Sequence, residues 1–280
     1  MKIAIIQDFV APYFSGGSAI YVSDIASGLV ENGHEVSVIS VRNPNIKNQV
    51  TELPNNTKVE VYPIGSKLLN IPIYSHRVRV WAKPWSIAMY FFNPFVYRQI
   101  VQILRMLQPD VVHINDSLYL SLSVFTSAYH QRCPVLFTCH FTHLIAPQGL
   151  TKFGTNMTPR LNGLNNLVPK ITQTIVKSPS VVLYLSNFGK TLHQQFGFFP
   201  NSLQVVFPSY SRFTQTNNPS NSQNKVFTIL YVGRLDNEKG LRSLMKALPD
   251  IEGEFLINIC GTVKDETDFK NEYAHDQRIL

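Results

Sequence analysis

The sequence predicts an α/β protein: one complete domain on a mostly parallel sheet with helices on both faces, then the start of a second domain. Three observations predict it. Short runs such as Lys2–Gln7, Val36–Val41 and Val181–Leu185 are almost continuously apolar, as strands buried on both faces are. Between them lie segments with apolar residues at helical spacing, which suits helices packed on such a sheet. The alternation breaks once, at Thr214–Lys225, a polar stretch without an aliphatic residue, and then resumes.

In chain order, Lys2–Gln7 reads as a buried strand. Ser18–Glu31 has apolar residues at 19, 22, 25, 26 and 29, a helix face, and Asn32-Gly33 supplies its stop. Val36–Val41 and Val59–Tyr62 are strands. Phe95–Leu107 is a helix ending before Pro109, Asp110–Ile114 a strand, Leu118–Tyr129 a helix and Val135–Thr138 a strand. Lys170–Lys177 ends a helix, Val181–Leu185 is a strand, Phe188–Phe196 a helix and Leu203–Phe207 a strand. Beyond the polar stretch come a strand from Phe227, a helix from Leu241 and a strand at Phe255–Ile259. The expected division is a first domain over 1–213, a linker over 214–225 and a partial second domain over 226–280.

The 280 residues are 44% hydrophobic, enough for a sizeable core, and carry a net charge of +7. The charge is uneven: no Asp or Glu occurs between Glu60 and Asp110, nor between Asp116 and Asp236. An acid-poor middle suits anionic ligands or an anionic membrane surface. Nucleic acid is not expected as a partner, since no binding motif accompanies the charge. Residues 71–97 interleave Trp81, Trp85, Tyr90, Phe91 and Phe92 with Arg77, Arg79 and Lys83. That composition fits peripheral contact with a bilayer, or a lid or core-packing insertion. Cys133, Cys139 and Cys260 show no disulfide or metal spacing and read as buried thiols in a reducing compartment. The apolar start is too short for a signal peptide and ends at Asp8. Ile87–Leu104 is the nearest approach to a membrane span, but contains Asn93, Pro94, Arg98 and Gln102. A cytoplasmic protein, peripheral to the inner face of a membrane if it touches one, is expected.

The segment Val232–Gly240 carries the sharpest chemistry. Strand, tight turn and helix follow one another, with Arg234 and Lys239 beside the helix start. Two cations at a strand's carboxyl end and a helix N-terminus favour an anion, and a diphosphate fits. Gly16-Gly17 lies between the first strand and first helix, where a backbone can approach a ligand closely. The run from Gly16 is Gly-Gly-Ser-Ala-Ile-Tyr, so the dinucleotide fingerprint is absent and an NAD-dependent enzyme is excluded. His140 follows a strand, where its ring could bond a sugar hydroxyl or stabilise developing charge. His113 reads as a core or loop histidine, and nothing assigns His143 a role. Asp116 reads as a helix cap. Scarce carboxylates oppose a two-carboxylate glycosidase, and the lack of Gly-x-Ser-x-Gly opposes a serine hydrolase.

Taken in order, Gly16-Gly17, Asn32-Gly33-His34-Glu35-Val36, Asp110-Val111-Val112-His113, Thr138-Cys139-His140, Leu185-Ser186 and Val232-Gly233-Arg234-Leu235…Lys239-Gly240 resemble the retaining glycosyltransferase family 4. The resemblance implies the two-domain GT-B fold, here a complete N-terminal Rossmann-like domain and the beginning of a second. It implies sugar transfer from a nucleotide-diphosphate-sugar with retention, to a glycan, lipid-linked or small-molecule acceptor held mainly by the first domain. It casts Arg234 and Lys239, with Gly16 and Gly17, as donor diphosphate contacts and His140 as the catalytic residue at the reacting sugar. Neither a cofactor nor a metal is implied. Two departures stand out. Phe207-Pro208-Ser209-Tyr210 replaces the family's Asn-Gly turn, and the family's Glu-x7-Glu motif, which contacts donor sugar and ribose, has no counterpart in the second domain. The only match to that spacing, Glu52 with Glu60, flanks an expected turn in the first domain. The expectation is therefore a transferase with a truncated donor domain, whose activity on its own is an open question for a transfer assay. The alternative is a non-catalytic acceptor-binding module, or one completed by a partner.

Overall fold

A computed structural model describes residues 1–10, 16–41, 50–52, 57–65, 83–115, 117–140, 142–145, 167–208, 226–233, 235 and 239–261. The chain divides into two compact units, Met1–Phe213 and Thr214–Leu280.

The first unit is built on strands β1 (Lys2–Gln7), β2 (Glu35–Val41), β3 (Val50–Glu52), β4 (Lys58–Ile64), β5 (Val111–Ile114), β6 (Val135–Cys139), β7 (Val181–Tyr184) and β8 (Leu203–Val206). They form one sheet in the order β3-β4-β2-β1-β5-β6-β7-β8, parallel throughout except that β3 runs antiparallel to β4. The chain starts mid-sheet, builds outward through β2 and β4, then returns to the other side of β1 with β5. The strand order reverses between β1 and β5, and the carboxyl ends at such a reversal are where open α/β sheets hold ligands. Alternation along β1 feeds two cores. Ala4 and Ile6 join one with Ile114, Phe125, Phe137 and Val182; Ile5 joins the other with Val22, Ala26, Val38 and Val61.

Helix α1 (Gly17–Glu31) covers the second core through Tyr21, Val22 and Ala26. It stops as expected: Gly33 adopts φ 78°, and the amides of Gly33 and His34 return to the Val30 and Leu29 carbonyls at 2.9 and 3.0 Å. On the opposite face lie α2 (Lys83–Phe91), which the sequence reading left unassigned, α3 (Pro94–Leu107), α4 (Ser123–His130) and α5 (Leu167–Val176). Asn93 and Pro94 divide the apolar stretch 87–104. The Asn93 side chain accepts the amides of Phe95 and Val96 at 3.1 and 3.2 Å, and Pro94 is pre-set for a first helical position. Among the described residues, no helix is long and apolar enough to cross a membrane. Helix α6 (Asn187–Gln195) joins β7 to β8 and is capped by Ser186.

Three expectations change. The helix placed at Leu118–Tyr129 begins only at Ser123, because the Asp8 carboxylate takes the amides of Tyr119 and Leu120 at 3.0 and 2.9 Å and holds 118–120 as a turn. Asp116 lies outside the described residues, and a helix starting seven positions later does not use it as its cap. β3, absent from the reading, places Glu52 and Glu60 on opposite strands of an antiparallel pair, as their flanking of a turn requires.

The second unit contains β9 (Phe227–Val232), α7 (Leu241–Ala247), a 3-10 turn at Leu248–Asp250 and β10 (Phe255–Cys260). β9 and β10 pair in parallel. Leu241, Met245, Leu248, Phe255 and Ile257 bury one face of this ribbon. On the other face Leu230 and Val232 are 63% and 73% exposed. None of the three cysteines is in a disulfide; Cys139 is buried and Cys133 partly so, but Cys260 is exposed, against expectation, because it ends β10 on the uncovered face. Gly261 follows immediately, packed so tightly on the Gly233 carbonyl that any side chain there would collide with backbone.

Candidate active site

The polar groups of the first unit gather where β1, β5 and β6 end, beneath the first turns of α1. Parallel register puts the last residue of β1, Gln7, level with Asn115, just past β5, and Asn115 level with Thr138 of β6. These side chains share the α1 face of the sheet. Gln7 donates to Ser18 Oγ of α1 at 3.2 Å. His140, one residue past β6, meets Asn115 Oδ1 through Nε2 at 3.5 Å and stands edge-on to the Tyr21 ring at 4.9 Å. Thr138 Oγ1 lies 2.8 Å from His113 Nε2 and 3.4 Å from the Tyr21 hydroxyl. Strands β1, β5 and β6 thus supply Gln7, Asn115, Thr138 and His140, and α1 closes the ring with Ser18 and Tyr21.

Electrostatically this cluster is neutral. Burial pushes His140 down to about 4, and burial together with the nearby His140 brings His113 to about 3. Both are uncharged imidazoles at neutral pH. The same holds behind them, where His143 falls to about 3 through burial and the fields of His193 and His140. Its Nε2 faces Ser117 Oγ at 3.4 Å, and its carbonyl accepts the Tyr90 hydroxyl at 3.1 Å. His193 donates through Nδ1 to the Gly189 carbonyl at 2.8 Å, which leaves Nε2 to accept the Cys139 thiol at 3.3 Å. Among the described residues, two buried atoms in the ring have no hydrogen-bond partner: Gln7 Oε1, an acceptor, and Asn115 Nδ2, a donor.

Gly16 caps α1, its carbonyl accepting the amides of Ala19 and Ile20 at 3.0 and 3.1 Å. A methyl built on Gly17 would meet nothing within 4 Å, and no positive φ demands glycine there. The first-unit residues singled out by sequence, Gly16, Gly17 and His140, therefore lie around one end of the sheet. His113 is the core histidine expected, but it is hydrogen-bonded to the wall of the site. Gln7, Asn115 and Tyr21 carried no expected role and Thr138 only a place in a motif; Gln7, Asn115 and Thr138 are polar residues at the carboxyl ends of apolar strands, whereas Tyr21 lies on α1 and nothing in the sequence marks it.

In the second unit Lys239 is exposed, directly before Gly240, whose φ of 77° turns the chain into α7. Arg234 lies outside the described residues. Among the described residues, no grouping of His, Cys, Asp and Glu has the arrangement of a metal site.

The sequence profile of Glycosyltransferase Family 4 matches residues 15–209, most of the chain. The chain belongs to glycosyltransferase family 4. This family 4 chain is 26% identical over 256 residues to an uncharacterised glycosyltransferase of Methanocaldococcus jannaschii, covering 90% of the chain and 60% of that relative. It is 24% identical over 249 residues to an uncharacterised 42.6 kDa protein in the cps region of Klebsiella pneumoniae, covering 88% of the chain and 64% of that protein. It thus spans less than two thirds of either relative's length. Among solved structures it resembles a sucrose-phosphate synthase of Thermosynechococcus elongatus, with TM-score 0.65, 16% identity and coverage of 100% of this chain and 69% of the other. It also resembles HepE of Anabaena in complex with UDP-glucose, with TM-score 0.63, 17% identity and coverage of 100% and 68%. At such identities these likenesses establish the fold alone, a partial GT-B architecture.

Proposed function

We propose that this family 4 chain serves a retaining hexosyl transfer from a nucleotide-diphosphate-sugar to a hydroxyl-bearing acceptor. The observation that carries the reading is the neutral ring of Gln7, Asn115, His140 and Tyr21 at the strand ends. A hydroxyl both donates and accepts, so hydroxyl groups suit a wall that offers an acceptor, Gln7 Oε1, and a donor, Asn115 Nδ2; a phosphate oxygen, which only accepts, cannot satisfy Gln7 Oε1. His140, uncharged at neutral pH, is suited to hydrogen-bond a sugar hydroxyl beside the reacting centre. The family resemblance assigns Arg234 and Lys239 to the departing diphosphate, and Gly16 and Gly17 leave the start of α1 open to close approach by a ligand. The bound UDP-glucose of HepE supports a nucleotide-sugar donor by analogy. No resident cofactor or metal ion is part of this reading.

The test is transfer of radiolabelled sugar from UDP-, GDP- and ADP-linked donors by the wild-type chain and by His140→Ala and Lys239→Ala. Loss of about 100-fold or more in either variant, with the fold intact, supports the assignment. Wild-type rates in both variants refute it. A second reading, in which another polypeptide completes the donor side, is favoured by the exposure of Leu230 and Val232 on one face of the described ribbon. It expects the chain to be inactive alone and active once that polypeptide is added.

A further inference from the structure

Of the aromatic and basic residues singled out in 71–97, Arg77, Arg79 and Trp81 lie outside the described residues, while the described aromatic residues divide between core and surface. Tyr90 and Ser86 turn inward, whereas Trp85, Ala88 and Phe92 form an exposed line along α2 and just beyond it. α3 continues it with Phe95, Arg98, Gln102, Arg105 and Met106, exposed at spacings that return to one helix face, while Val96, Ile100 and Leu104 fill the core. Trp85 and Met106 are each 61% exposed and Phe95 50%. The lines meet at the break between helices, where the Phe92 and Tyr97 rings approach to 5.6 Å. No acidic residue occurs from 61 to 109.

We infer that this α2–α3 face seats the protein on an anionic lipid bilayer. Exposed indole and phenyl rings flanked by guanidinium groups match an interface where apolar groups enter the headgroup boundary and cations meet lipid phosphates. A second copy of the chain fits less well. A two-fold contact through this face would set Arg98 and Arg105 against the same cations of the other copy, with no carboxylate between. The inference is independent of the transferase reading, and either can fail alone.

The full chain is sedimented with vesicles of phosphatidylcholine alone and of phosphatidylcholine with phosphatidylglycerol, at low and high salt. Each basic residue at an anionic surface is worth about fivefold in partition, so neutralising two costs about 25-fold. Binding is expected to require phosphatidylglycerol, to weaken with salt, and to fall by at least that factor in Arg98→Glu/Arg105→Glu. Trp85→Ser/Phe92→Ser should weaken binding while keeping the salt dependence. Brominated lipids should quench the fluorescence of a Trp81→Phe variant, in which Trp85 is the remaining tryptophan, a readout that needs neither double variant to fold. Equal partition on both vesicle types, binding indifferent to both double variants, or a dimer that the Trp85→Ser/Phe92→Ser pair dissolves would each overturn the inference.

Discussion

His113 and His143 sit 3% and 5% exposed, and both are held neutral by burial. Their folded values lie below the ordinary histidine value, so the unfolded chain binds more protons between about pH 6.5 and the folded values of about 3. Stability is then full above about pH 6.5 and is lost as pH falls through that window. At about pH 5 each imidazole should remove up to about 2 kcal/mol. Denaturant midpoints between pH 7 and pH 5 will show the decline, and His113→Asn should flatten it. Gly17 offers a cleaner separation of fold from function. With open space around it and ordinary backbone angles, Gly17→Ala should leave thermal stability within about 1 kcal/mol, since alanine is the better helix former. If α1 begins against the donor, the same methyl should reduce transfer at least tenfold through KM. An unchanged KM would move the donor away from that turn.

Two side-chain caps decide where elements begin. Asp8 ties the end of β1 to the 118–120 turn, and its replacement by Ala leaves two amides without their charged acceptor. A loss of about 2–3 kcal/mol is expected in urea unfolding, with Asp8→Asn milder. Asn93 caps α3 with its side chain, while its backbone amide donates to Ser123 Oγ at 2.7 Å and survives truncation, so Asn93→Ala should cost about 1–2 kcal/mol through the lost cap alone. These caps also explain what was legible in the sequence. Strands and helices with unbroken periodicity, such as Lys2–Gln7 and Phe95–Leu107, could be placed to within a residue. α4 could not, because a carboxylate more than a hundred positions earlier competes for its first amides. β3 was too short to carry a pattern, and α2 is apolar around much of its circumference. At the site, Gly16, Gly17 and His140 were recognisable from ordered motifs, whereas Gln7 and Asn115 acquire meaning only through the pairing of β1 with β5.

The two units differ in how completely they cover their sheets. The first unit has helices on both faces and two separate cores, while among the described residues the second has one side of its ribbon exposed. A methyl on Gly261 would collide with the Gly233 carbonyl, so Gly261→Ala should open the β9–β10 ribbon and speed proteolysis within 226–261. The larger unit should stay resistant, and equal cleavage throughout would show the two to be one cooperative body. Leu230 and Val232, presented on so small a ribbon, also set a colloidal limit. As concentration rises in a preparation, sticky encounters between ribbons should make the solution scatter light well below the melting temperature. Swapping those two aliphatic groups for threonine would clear it without touching the strand-end ring.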